Sequence, residues 1–303
     1  MKIVFLDSAI INPGDISWEG LQRFGELEVR KRTSREEAVS VIGDAEAVFT
    51  DSFAIDRELM EACPSLKFIG ISATGFNHVD LAVAKELGIA VANVPAYAAE
   101  AVAQHAMALL LSVTNQIETY NAAVKAGEWQ KSRDYTFIKS PLMLLAGKSI
   151  GIVGYGDIGS KIAQIAEALG MKVNIFSRDK AAAIGSDVVS LSCPLTPENR
   201  GMVDAEFISQ MKDGAILINT ARGGLIDETA LADALKSGKL AGAGLDVLVQ
   251  EPPSTDNPLV GIPNCYITPH IGFIPVETRR VVIETCEKNL ESFIEGVALN
   301  RLV

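Results

Sequence analysis

Gly151-Ile-Val-Gly-Tyr-Gly-Asp-Ile-Gly159, with an apolar run from Ser149 to Val153 and a second from Ser160 to Leu169, reads as strand, tight turn and helix. Gly154, Gly156 and Gly159 fit the G-x-G-x-x-G pattern. The first glycine permits the turn, the second lets backbone approach a pyrophosphate, and the third lets helix pack closely on strand. Three glycines in six residues also occur in ordinary turns. The β-like run in front, and Ile162, Ile165, Ala166 and Leu169 at helical spacing behind, set this stretch apart. A dinucleotide is the implied ligand, with Asp157 and Ile158 counted among its contacts.

Outward from the turn, strand-like apolar runs alternate with polar, helix-like ones, which implies parallel sheets. Before residue 95 the strand-like runs are Ile3 to Leu6, Ala45 to Thr50, Leu66 to Ile71 and Ile89 to Val94. Capping residues followed by acids, as in Asp56-Arg-Glu-Leu-Met-Glu-Ala, mark helices between them. Pro95 breaks the pattern, and Ala98 to Gly127 predicts one long connecting helix. A looser stretch, Trp129 to Pro141, leads into the second unit. Its strands are expected at Leu145 to Val153, Val173 to Phe176, Asp187 to Ser192, Ala215 to Asn219, Gly242 to Val247 and Tyr266 to Thr268. The amphipathic Pro275 to Glu295 has no place in that sheet and is expected to return to the amino-terminal unit. The reading is two doubly wound α/β domains: 1–96 with 275–303, and 97–274.

A chain of 303 residues is long enough for two cores. A net charge of -11 disfavours nonspecific attraction to nucleic acid or anionic membrane, so an anionic substrate needs a local basic group. The apolar Ala96 to Val113 is interrupted by Glu100, Gln104 and His105 and falls short of a membrane span. Cys63, Cys193, Cys265 and Cys286 show no metal-like pairing. With no signal-type segment after Met1, the expectation is reduced thiols in the cytoplasm and no metal.

Of the three histidines, His105 sits within Ala101-Val-Ala-Gln-His-Ala-Met-Ala-Leu and reads as a packed helix residue. His78 follows a turn and reads as structural. His270 follows Ile267-Thr-Pro at a predicted strand end, where ligands gather in open α/β sheets. Arg222, in Asn219-Thr-Ala-Arg-Gly-Gly224, and Glu251, before paired prolines, end strands in the same way. The three can converge, although a lone Arg or Glu is usually a solvated charge.

The chain resembles the D-2-hydroxyacid dehydrogenases over nearly its whole length. The resemblance runs through Ala73-Thr-Gly-Phe-Asn-His-Val-Asp80, the glycine fingerprint, Cys193-Pro-Leu-Thr-Pro-Glu-Asn199, Asn219 to Gly224, Gly244-Leu-Asp-Val247 with Glu251-Pro-Pro, and Thr268-Pro-His-Ile-Gly272. It implies a Rossmann dinucleotide domain inserted in a flavodoxin-like substrate domain, and hydride transfer between a nicotinamide and C2 of a small 2-keto or 2-hydroxy acid. It assigns Arg222 to the substrate carboxylate and keto oxygen, Glu251 to the histidine, and His270 to acid/base catalysis. Ala73, Thr74 and Gly75 correspond to the substrate loop, and Asp246 to the residue that accepts from the nicotinamide carboxamide. Cys193, Pro194, Thr220, Ala221 and His270 join the cofactor contacts. The stretches Ala73 to Asp80 and Asn121 to Trp129 are most similar to the glycerate dehydrogenase or hydroxypyruvate reductase branch, with glyoxylate as a companion substrate. A homodimer through Ala98 to Pro141 is implied by the same analogy. A dinucleotide-sensing interaction protein, of the kind seen in corepressors resembling this family, is the competing expectation.

Two features depart from that pattern. Where NAD-using members end the strand after the glycine helix in an acid, Lys172-Val-Asn-Ile-Phe-Ser-Arg178 has Ser177 and then Arg178. Without a carboxylate to repel a 2′-phosphate, and with a guanidinium able to pair with it, NADP is preferred and NAD is the alternative. The connection Asp179 to Ser186 is also too short for a further strand and helix, so an edge strand is expected to be missing or vestigial.

Overall fold

Every ladder in the two sheets is parallel. The interior strands are near-continuous apolar runs because both faces of a parallel sheet are covered. The computed structural model describes all of residues 1–303. The chain divides into two units, Met1–Tyr97 with Phe273–Val303, and Ala98–Gly272.

In the first unit the strands are β1 (Lys2–Phe5), β2 (Glu26–Val29), β3 (Ala47–Thr50), β4 (Phe68–Ile71) and β5 (Ala90–Ala92), in the order β2-β1-β3-β4-β5. That is the flavodoxin-like arrangement. Val4, Val48, Ile69 and Val91 face one apolar layer, and Ile3, Phe5, Phe49 and Phe68 face the other. The helix Val276–Ile294 closes the second layer with Val282, Ile283, Cys286 and Leu290. β2 was not expected from sequence. Its Glu-Leu-Glu-Val alternation is that of a half-covered edge, without the apolar run that marks the other strands.

The second unit contains β6 (Ser149–Val153), β7 (Lys172–Ile175), β8 (Val188–Leu191), β9 (Ala215–Asn219), β10 (Leu240–Leu245) and β11 (Cys265–Ile267), in the order β11-β10-β9-β8-β6-β7. This is the Rossmann order with its outermost strand absent. Between β7 and β8 the chain makes one short helix, Lys180–Ile184, capped by Asp179. The sheet order reverses at β6, so the glycine turn that follows it lies at the switch point where ligands bind in such folds.

The long helix expected over Ala98 to Gly127 is two helices, Ala99–Asn115 and Ile117–Lys125. They break at Gln116, which takes φ 51° and donates from Nε2 to the Val113 carbonyl at 2.9 Å, ending the first helix on its own side chain. The first of these helices packs on β10 at Gly242 and Gly244, where a Cβ would come within 2.6 Å of Val113 Cγ1 and 2.8 Å of Leu109 Cβ. No helix of the chain is long and apolar enough to cross a membrane.

Candidate active site

The fingerprint turn is shaped by missing side chains. Gly154 lies at φ 99°, a conformation glycine adopts freely, and a Cβ there would sit 2.5 Å from the Cys193 nitrogen. A Cβ on Gly159 would overlap the Gly154 carbonyl oxygen, whereas one on Gly156 would meet nothing within 4 Å. The open space lies at the start of helix Asp157–Ala168, whose N-cap Gly156 offers no capping side chain. First-turn N–H groups beside empty volume suit a pyrophosphate. At the neighbouring strand ends, Ser192 Oγ and Thr220 Oγ1 are buried without a hydrogen-bond partner. Such groups are costly unless something completes them. The residues present therefore fit a dinucleotide. Ser192 was not among the residues expected from sequence, although its place before Cys193-Pro194 at the end of β8 is the available signal.

Beyond β7, Ser177 and Arg178 occupy a turn in which Arg178 N–H donates to the Ile175 carbonyl at 2.9 Å. The Arg178 guanidinium lies over the Tyr155 ring, 5.6 Å from its centroid, so a residue between the fingerprint glycines holds the basic group beside the turn. The acid next in sequence, Asp179, is committed to its own helix, accepting from Ala182 N–H at 3.0 Å.

At the far side of the sheet, Asn219 braces the next turn by accepting from Ala221 N–H and donating to the Arg222 carbonyl, both at 2.9 Å. Arg222 is exposed, and its Nη1 donates to the Ala221 carbonyl at 2.7 Å. Glu251 Oε1 accepts from Leu248 N–H at 2.9 Å, and Oε2 lies 2.7 Å from His270 Nδ1. The hydrogen bond with Glu251 raises the His270 pKa above the usual imidazole value against the opposing effect of burial. Burial works against the Glu251 charge too, but the bonds from His270 and Leu248 hold its carboxyl below the ordinary range. The Glu251 carboxylate thus engages the Nδ1 side of the ring, and Nε2 is its other nitrogen.

His270 sits at φ 54°, a region that non-glycine residues avoid. Its N–H donates to the Asp246 carbonyl at 2.9 Å, and Asp246 Oδ1 and Oδ2 accept from Ile271 and Gly272 N–H, each at 2.8 Å. The buried Asp246 stays ionised: desolvation opposes its charge, but bonds from His105, Thr268 and the two N–H groups keep its pKa below the usual carboxylate value. The residue expected at the nicotinamide carboxamide is thus also the brace of the histidine turn. His105, expected only to pack, has Nε2 at 2.8 Å from Thr268 Oγ1.

Ala73, Thr74 and Gly75 belong to the first unit and follow β4. Val94 N–H donates to the Ala73 carbonyl, Thr74 Oγ1 donates to the Val94 carbonyl, and Asn93 Nδ2 donates to the Thr74 carbonyl. None of these bonds uses the N–H of Thr74 or Gly75.

Residues 107–272 match the family model described as D-isomer specific 2-hydroxyacid dehydrogenase, NAD binding domain. The chain belongs to this family. A hydroxypyruvate reductase of Blautia hydrogenotrophica is 46% identical, over 99% of each chain. A glycerate dehydrogenase of Methylorubrum extorquens is 37% identical, over 99% of this chain and 98% of its own. Among solved structures, an acyclic imino acid reductase in complex with NADPH and D-Arg superposes over 100% of both chains with a TM-score of 0.83 at 29% identity. The 2-hydroxyacid dehydrogenase family fixes the class of chemistry as oxidoreduction on 2-hydroxy acids and the second unit as an NAD(P)-binding domain.

Proposed function

We propose that this enzyme reduces hydroxypyruvate to D-glycerate and glyoxylate to glycolate, using NADPH in preference to NADH. The observation that carries the reading is the Glu251–His270 pair, 2.7 Å apart at the carboxyl ends of the second unit's strands, in a turn held by Asp246. When bound, the nicotinamide supplies the hydride that reaches C2 of the keto acid. Arg222 takes the substrate carboxylate in a two-pronged hydrogen bond and orients the keto group. As charge develops on the keto oxygen, His270 donates the proton from Nε2, and Glu251 stabilises the imidazolium before that transfer. Oxidation uses the same groups in reverse. The free N–H groups at Thr74 and Gly75 are proposed to bind the substrate carboxylate.

The fingerprint N–H groups of Asp157 and Ile158 would hold the pyrophosphate, with Cys193, Pro194, Thr220 and Ala221 along the cofactor and Asp246 at the carboxamide. The preference for NADPH is supported by the absence of a free acid at Ser177 and by Arg178 braced on Tyr155. The homologues named for hydroxypyruvate and glycerate support the substrate class. A homodimer in the cytoplasm completes the reading, supported for the dimer by the exposed Tyr135, Ile138, Leu142 and Leu144.

Steady-state assays crossing NADH and NADPH with glyoxylate, hydroxypyruvate and pyruvate test the proposal. Expected are the highest kcat/KM with NADPH and hydroxypyruvate, with glyoxylate close behind. A strong NADH preference would remove the role given to Arg178. Dinucleotide binding without turnover of any keto acid would favour a sensor.

A further inference from the structure

One histidine near the site has no place in this mechanism. His105 projects from helix Ala99–Asn115, with Nε2 2.8 Å from Thr268 Oγ1 and 3.2 Å from Asp246 Oδ1, and its Cδ2 would lie 3.6 Å from a Cβ on Gly272. The protons available to these three groups fix what that ring does. An ionised carboxylate only accepts, so Asp246 has no proton to give. Thr268 has one hydroxyl proton and sends it to Asp246 Oδ1 at 2.6 Å. The Thr268 oxygen must therefore accept from the ring, which assigns a proton to His105 Nε2. Donation runs in one direction, towards Asp246: from His105 through Thr268, with the ring also 3.2 Å from Oδ1 directly. The Asp246 carboxylate then receives the N–H groups of Ile271 and Gly272, the two residues after His270.

We propose that His105 is a positioning residue for the reaction: through Thr268 it orients the Asp246 carboxylate that holds the left-handed turn of His270, and so aims the imidazole that moves the proton. Without its N–H, the Thr268 hydroxyl loses the donor that fixes its orientation, and Asp246 can rotate away from the two backbone N–H groups. The imidazole of His270 then leaves its working geometry while Glu251 and the dinucleotide turn stay as they were. The inference rests on the reading of His270 as the acid/base group.

The test compares His105→Phe, which keeps a flat ring but no donor, with His105→Gln, which keeps a donor, and Thr268→Val, which removes the relaying hydroxyl. Each is measured for kcat and KM with NADPH and hydroxypyruvate, NADPH affinity by nucleotide fluorescence, and thermal unfolding. His105→Phe and Thr268→Val are expected to lower kcat roughly 10- to 100-fold, the scale of a small misplacement of a reacting group. Their melting temperature should stay near the parent's, their NADPH affinity should fall far less than kcat because only the Asp246 contact to the carboxamide is disturbed, and His105→Gln should recover most of the rate. In a His270→Ala background His105→Phe should cost nothing further, because two residues acting through one group are not additive. Parental kcat in folded His105→Phe overturns the inference, as does a Gln variant as slow as the Phe variant, or an undiminished loss in the His270→Ala background. If His105→Phe does not fold, Thr268→Val carries the same comparison. Normal turnover by His270→Ala alone would overturn the underlying acid/base reading, and with it this inference.

Discussion

The turn after β6 and the turn after β11 each hold a residue in the left-handed region, Gly154 at φ 99° and His270 at φ 54°, and they do so by opposite means. In the first, glycine removes the steric penalty, and what serves the ligand is bare backbone and open space. In the second a histidine occupies the position, so the turn carries strain of about 1–3 kcal/mol. Three hydrogen bonds to Asp246 hold it there. A site that recognises a phosphate with N–H groups is written in glycines. A site that must aim a proton is written in a network of side chains, few of which touch the substrate.

Three perturbations bear on that contrast. His270→Ala should cut turnover by about 100- to 10,000-fold, the usual scale for a general acid, while leaving NADPH affinity nearly intact by fluorescence titration. Loss of both together would mean that the two turns are not independent. Gly159→Ala should do the reverse. Its methyl falls on the Gly154 carbonyl oxygen, so nucleotide binding weakens and unfolding stability drops by about 1–3 kcal/mol, read by fluorescence and by denaturant titration. Glu251→Gln is the finest probe. The Glu251 bond raises the His270 pKa, so the proton-loaded form, and with it reduction, survives to higher pH than an ordinary histidine allows and is lost as pH rises through the raised pKa. Removing the carboxylate should move that loss to lower pH, and should likewise move the rise in oxidation downward. Profiles of kcat/KM against pH in both directions would reveal it. An unmoved reductive limb would detach Glu251 from the proton.

Much of this was legible in the sequence because parallel strands buried on both faces are near-continuous apolar runs. Ala215–Asn219, for example, is buried at every position. The edge strand β2 gave no such signal, since only Leu27 and Val29 join an apolar layer, while Glu26 and Glu28 take the alternate face at the rim of the sheet. The split at Gln116 was hidden because the weak helix formers beside it, Val113, Thr114 and Asn115, lie between longer stretches of strong ones, and the left-handed backbone angle there reveals the turn. The strand-end residues Arg222, Glu251 and His270 stood out by their motifs, and the missing strand by the shortness of Asp179 to Ser186. His105 did not stand out. Its spacing reports that one face of the helix is apolar, but not that the neighbouring face looks onto Thr268 and Asp246.

Gly242 and Gly244 act as spacers of zero thickness. They let the helix that carries His105 lie directly on β10, the strand that runs into Asp246. A methyl group on Gly244 would meet Leu109 Cβ at 2.8 Å, and one on Gly242 would meet Val113 Cγ1 at 2.6 Å, so the helix or the strand would have to give. How closely His105 approaches Asp246 is therefore set partly by two residues that carry no functional group.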